Sequence, residues 1–456
     1  MMRIRIIAVA VLMAALCSCG KEEIGNDVPS FARISFSRTD VNMTVGENFT
    51  PSLTYRNGSD MHAYDLVSNP ENLTFSSTDP DVASVDAACR VVALKPGKTV
   101  VKAVSKGLSA SFSVTVRSND YVVPDYGKAL TKEMVYGQFT INSNEGNVNP
   151  QSFDVDSNGD VWLEGAKRPY IYIQHCTDAG HVDPTAKSLV GYKGEPTMRV
   201  YYAGHGTCLN VEIAGDGTKY VWFANFGTKQ LSGSDAGAYL QPRVLSRTKY
   251  LPGKTIYPED AEENYYFGGD YVQMLPSIDF ENRVVAIWVS SKKTVTMFSL
   301  DDVLNSPKKD MVISGMTWGG DSDRYPTEQT VTKTMTVHDC TGLKPLAQLK
   351  VDTATALSGH ATQGFCVYGP EHYFFFLTNV STNMDVRMAV MKENGSYIKT
   401  STGVGYDDDL NLCISLGMTP KAYLEAEGVT IRKGRMFHCL AATWGSTRVA
   451  TIVEIL

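Results

Sequence analysis

The sequence predicts an all-β protein, a β-sandwich followed by a five-bladed β-propeller. Three observations predict it. A strand–turn–strand unit recurs five times in the C-terminal two thirds, about seven short alternating strands fill the stretch before it, and no long helical periodicity interrupts either part. Composition agrees: 23 Tyr, 17 Phe, 5 Trp and 38 Gly in 456 residues suit β-structure with many tight turns. The length exceeds what one compact core supports, so several domains are expected. A net charge of -7, with no Lys/Arg run, gives no reason to expect a nucleic-acid partner.

In chain order, residues 1–18 read as a signal peptide. Arg3 and Arg5 form a basic start, and Ile6 to Leu16 is an apolar stretch too short to span a bilayer. Leu16-Cys17-Ser18-Cys19 resembles the lipobox of bacterial lipoproteins, which implies acylation at Cys19 and a membrane attachment through lipid alone. The following Gly20-Lys21-Glu22-Glu23 resembles the short tag of surface-exported lipoproteins of Bacteroidetes and implies an outer-membrane or cell-surface location. Residues 19–30 are polar with Gly and Pro, a tether.

Residues 31–117 carry Ile34–Phe36, Val41–Val45, Leu73–Phe75, Val82–Val85, Val91–Leu94, Thr99–Val104 and Ser111–Val116, separated by turn residues. The run from Phe75 through Asp79-Pro80 to Val85, then Val91 to Thr99 and a closing Ser113 to Val116, resembles the bacterial immunoglobulin-like domain of group 2. Phe75 stands where that family usually has Trp, and Cys89 where it has Gly. The resemblance implies an immunoglobulin-like sandwich acting as a spacer or adhesion module. Residues 118–132 read as a linker.

From residue 133 to 456 the repeats align on their first strands: Gln151–Val155, Thr207–Val211, Pro276–Phe280, Gln363–Val367 and Glu427–Ile431. Their last residues are 56, 69, 87 and 64 apart, each room enough for a four-stranded blade. A strand near Met134 to Ile141 is expected to close the ring with another blade, and Val449 to Leu456 to complete the last one. No helical segment beyond a turn or two is expected, Leu300 to Leu304 being one instance. Gly204-His205-Gly206-Thr207 before its strand and Trp222 after it, echoed at Gly359-His360-Ala361-Thr362, resemble the family of helveticin J and the so-called teichoic acid biosynthesis protein C. The resemblance implies a cell-surface or cell-wall role and names no activity.

In a propeller the first strand of each blade lines the channel, so the residues leading into it are expected to gather polar groups at one rim. Gln151, His205, Thr207, Gln273, His360, Gln363, Glu425 and Glu427 come from that place, a candidate ligand-binding set for an extracellular glycan. A Gly-His there also serves in other propellers to bond neighbouring blades. No cofactor and no metal centre is expected. Asp154-x-Asp156-x-Asn158-Gly159 opens like a calcium loop, but its closing position is Gly165 and an Asn-Gly hairpin explains it. Asp407-Asp408-Asp409 reads as a solvated loop. Seven cysteines remain beyond Cys17 and Cys19, without zinc spacing, and Cys208, Cys366 and Cys439 read as small buried hydrophobes. Two alternatives stay open. A glycoside-cleaving enzyme would use funnel carboxylates such as Asp154, Asp279 or Glu212 about 5 to 10 Å apart. A protein-interaction scaffold would show a flat, polar-rimmed surface.

Overall fold

A computed structural model describes residues 33–36, 40–56, 64–65, 73–117, 130–142, 147–183, 185, 188–233, 236–353, 362–369, 373–379, 386–391, 397–404, 406–419 and 424–455. Cys19, the signal peptide, the tether, most of the linker and His360 lie outside the described residues. Contacts divide the chain into two units, residues 1–120 and 121–456.

The first unit is a sandwich. One sheet has four strands in the order Asp40–Thr44, Leu108–Arg117, Gly97–Ser105, Leu73–Ser77, the first pairing parallel to the second. Opposite it lie two three-stranded pieces, Arg33–Phe36 with Leu53–Arg56 and Tyr64–Asp65, and Asn48–Phe49 with Val91–Ala93 and Ala83–Val85. Alternation puts Val101, Ala103, Phe112 and Val114 inside, with Phe36 edge-on to Phe112 at 4.8 Å. Cys89 is buried at φ 61°, a left-handed conformation that favours glycine, which accounts for the residue the family prefers there.

The second unit is the expected five-bladed propeller. Blade one is Asn149–Val155, Val161–Lys167, Tyr170–Cys176 and Met198–Tyr201. Blade two is Asn210–Ile213, Lys219–Asn225, Val244–Lys249 and Glu263–Tyr266. Blade three is Met274–Asp279, Val284–Val289, Thr294–Ser299 and Ala347–Lys350. Blade four is Thr362–Tyr368, Tyr373–Asn379, Val386–Met391 and Tyr397–Val404. Blade five takes Leu424–Arg432, Arg435–Trp444 and Thr447–Ile455 from the end of the chain and Val135–Phe139 from the start of the domain, which closes the ring.

Five apolar clusters sit between successive blades. Phe153 and Leu163 meet Phe437 and Ile452 between blades five and one; Ile171 and Val200 meet Val211 and Phe223 between one and two. Trp222 and Leu245 meet Ile278 and Ile287, Trp288 and Met297 meet Phe365 and Val367, and Cys366 and Tyr368 meet Val429 and Met436. The second strands are apolar on both faces because each blade is covered on both sides. At the axis the inner strands nearly touch: a Cβ on Gly364 would lie 2.9 Å from the Cα of Gly428, so no side chain fits.

Two features depart from expectation. Lys308–Trp318 and Gln329–Asp339, between the third and fourth strands of blade three, form a long hairpin that extends the sheet of blade two to six strands. The run Asp407–Asp409 lies in a helix, Tyr406–Ser415, whose Leu412 and Cys413 pack into the core of blade five, so the solvated-loop reading is corrected. Leu300–Leu304 is helical as expected. Among the described residues no helix is long and apolar enough to cross a membrane.

Candidate functional site

The channel wall is made of polar side chains that bond one blade to the next. Ser152 Oγ accepts from the Leu209 amide at 3.1 Å and its counterpart Ser277 from Val367 at 3.0 Å. Asp154 Oδ2 accepts from the Val211 amide at 2.7 Å, and its counterpart Asp279 from Gly369 at 3.0 Å. Asn210 bridges blades two and three, accepting from the Ile278 amide at 2.8 Å. The matching acids of blades one and three therefore match because each caps a buried amide of the next blade.

Arg432 lies across the axis. Its guanidinium donates to the carbonyl of Val155 at 2.9 Å, to those of Val211 and Ile278, and to the Asp154 carboxylate, tying blade five to blades one, two and three. Burial opposes its charge, and the Asp154 carboxylate outweighs burial and keeps it protonated. Asp154 also accepts from Thr430 Oγ1, Asp279 from the amides of Glu281 and Asn282, and Glu212 is held by Arg247 and Trp222. All three acids of the hydrolase alternative are committed to structural bonds.

The proposed rim residues do not form one ring. Gln151 and Glu427 meet inside the channel, Gln151 Nε2 donating to Glu427 at 3.3 Å, both buried. Gln363 and Glu425 are half-buried on their inner strands, and Thr207 is half-buried in the loop before a strand that begins only at Asn210. Gln273 is exposed and its amide bonds the carbonyl of Pro242.

His205 goes elsewhere. It is exposed and lines a cleft of about 430 Å³ with Lys167, Arg168, Tyr170 and Tyr239, built from the turn between the second and third strands of blade one and the approach to blade two. Beneath its loop sits Glu164, which the sequence reading missed. This fully buried carboxyl accepts from the Cys208 amide at 3.1 Å, and burial pushes its pKa up to about 8. A second cleft of about 470 Å³ lies along the same blade, lined by Tyr172, Arg199, Asn142 and Thr197. Both volumes fall in the range of small-molecule sites.

Asp156, Asp160 and His175 bring ligand atoms within 4.8 Å of one another, a possible cation site. Their bonds explain them without one. Asp156 Oδ1 accepts from the amides of Asn158 and Asp160 and Oδ2 from Trp162 Nε1 at 2.9 Å. His175 stacks on Trp162 at 4.3 Å between Asp160 and Glu195. Blade two repeats the ladder, with Glu212 holding Trp222 Nε1 and Arg247 lying opposite Trp222 between Glu212 and Glu263. His175 thus occupies the place of an arginine. Burial lowers its pKa, and the two carboxylates outweigh burial and leave it raised. The seven cysteines among the described residues are buried.

Residues 42–116 match the family model of the bacterial Ig-like domain (group 2). No curated protein matches the chain. Similar solved structures include a quinoprotein alcohol dehydrogenase-like protein from Bacteroides thetaiotaomicron, 10% identical over 92% of this chain and 94% of its own, with a TM-score of 0.24. Another is a catalytically inactive virginiamycin B lyase from Staphylococcus aureus with quinupristin, 12% identical over 69% of this chain and 98% of its own, also at 0.24. Neither likeness bears on chemistry. The chain is an immunoglobulin-like sandwich joined to a five-bladed propeller.

Proposed function

We propose that this chain is a lipid-anchored bacterial surface protein whose propeller binds an extracellular glycan, with the sandwich as spacer. The observation that carries the binding reading is the cleft at His205. It joins the half-buried Tyr170 and the largely buried Tyr239 to an exposed imidazole and the cationic Lys167 and Arg168. Sugars present apolar C–H faces ringed by hydroxyls, and an aromatic surface with convergent hydrogen-bonding groups suits both. The resemblance of Gly204–Thr207 and Trp222 to the helveticin J family supports a role at the cell surface, and Cys19 supports the anchor. Hydrolysis by Asp154 and Asp279 finds no support, since their carboxylates hold the blades together.

A glycan array probed with the protein from residue 31 onward tests the reading. Alanine at both His205 and Arg168, the exposed side chains of the cleft, is expected to weaken binding at least about tenfold with the fold intact. Array binding that survives both substitutions would move the ligand elsewhere. Loss of membrane association on Cys19→Ala tests the anchor separately.

A further inference from the structure

The two clefts on blade one are joined through a pair of residues. Tyr170 lines the cleft that holds His205, and Arg199 lines the other. The Arg199 guanidinium lies over the Tyr170 ring, 5.2 Å from its centroid. The strand register explains why. Tyr172 pairs with Arg199 and Tyr170 with Tyr201 on adjacent antiparallel strands, and side chains two apart project from the same face. Tyr170, Tyr172, Arg199 and Tyr201 therefore share one face of the sheet, with Tyr172 buried and the other three half-buried. Tyr170 and Tyr201 are fixed against each other by a 2.8 Å bond between their hydroxyls, and Tyr201 is stacked on Tyr257 at 4.5 Å.

Charge gives this surface a direction. The chain has 49 acidic and 42 basic residues, yet the described residues lining the two clefts include Lys167, Arg168, Arg199 and His205 and neither Asp nor Glu. Arg168 is braced by donating to the Ala236 carbonyl. A lining that excludes acids from an acid-rich protein fits an anionic ligand, with guanidinium groups placed for carboxylate oxygens and the half-buried Tyr170 ring for a sugar face between them.

We propose that the two clefts are subsites of one groove that binds an acidic oligosaccharide whose charge is carried by uronate carboxylates, with Arg199 and Tyr170 at the junction. The proposal rests on the glycan reading above. It makes two demands that reading does not: affinity rises with negative charge, and it rises with chain length until both subsites are filled.

Titration calorimetry with oligogalacturonate, oligoguluronate and oligoglucuronate, as disaccharides and hexasaccharides, against maltose and maltohexaose provides the test. At least one uronate hexasaccharide is expected to bind about tenfold or more tightly than its disaccharide and than the neutral hexasaccharide, and to weaken as salt rises. Arg199→Gln is expected to remove the gain with length, about tenfold, while Arg199→Lys keeps part of it. An unchanged thermal midpoint excludes misfolding of either variant. Binding of neutral glycans with no uronate preference overturns the proposal and leaves the glycan reading standing. A uronate hexasaccharide indifferent to Arg199→Gln overturns the single groove. No binding to any probe, with the array also empty, overturns both.

Discussion

Glu164 is buried beneath the loop that presents His205, and burial holds its proton to about pH 8. A carboxyl whose folded pKa lies above its unfolded value binds its proton more tightly in the native state. Its contribution is complete below the unfolded pKa near 4.5 and is lost as pH rises through about 8. The wild type should therefore lose on the order of 3 kcal/mol from this group between about pH 5 and pH 9. Glu164→Gln, whose amide oxygen still accepts from Cys208, should lack that loss. Urea midpoints at the two pH values check it, and parallel shifts in the two proteins would refute it. His175 adds to the same slope, since its raised pKa makes its stabilisation vanish as pH climbs. Neither group was legible as such in the sequence. Glu164 and His175 stand in unremarkable strand patterns, and only the register, which sets Ser152 against Glu164 and Trp162 against His175, gives them their surroundings.

The blade is the element the sequence reveals best, because a strand buried on both faces between neighbours must be a run of apolar and aromatic residues. Val161–Leu163, Tyr220–Phe223 and Val284–Val289 are such runs, and each falls in a second strand. The inserted hairpin is less legible. Its outer strand opens on three exposed residues, Lys308 to Asp310, and its inner strand, Gln329–Asp339, pairs with a sheet from a different blade. Only the long interval between the third and fourth repeats hints at it. Its anchor is Trp318, fully buried, donating to the Gly227 carbonyl at 2.7 Å and stacked with Tyr202 at 5.3 Å, while Tyr202 donates in turn to Asp321 at 2.8 Å. Truncating such an indole loses its burial and its bond together, so Trp318→Ala should destabilise the propeller by about 3–5 kcal/mol. Differential exchange of amide protons should place the loss first in Lys308–Asp339. Uniform protection in that hairpin would show that blade two does not depend on it.

At the scale of the whole ring, stability depends on closure, because an open fifth blade would expose an unpaired strand edge. Closure comes from Val135–Phe139, which pairs with Thr447–Ile455 across more than three hundred residues of chain. Gln138 concentrates the contacts: its side chain donates to Thr451 Oγ1 at 3.1 Å and accepts from the Val182 amide at 2.7 Å, and its own amide donates to the Gly180 carbonyl at 2.9 Å. The closing strand therefore also fastens the loop that leaves blade one. Apolar alternation identifies this strand in the sequence, whereas its double role depends on one glutamine. Proline at position 138 removes the backbone donor and both side-chain bonds, a cost of about 3 kcal/mol or more. The expected outcome is a protein whose Thr447–Ile455 amides exchange rapidly and whose scattering rises with concentration as the freed edge pairs between molecules. A Gln138→Pro variant that stays monomeric with those amides still protected would mean that the apolar contacts of Phe139 with Ala450 and Ile452 close the ring without the hydrogen bonds.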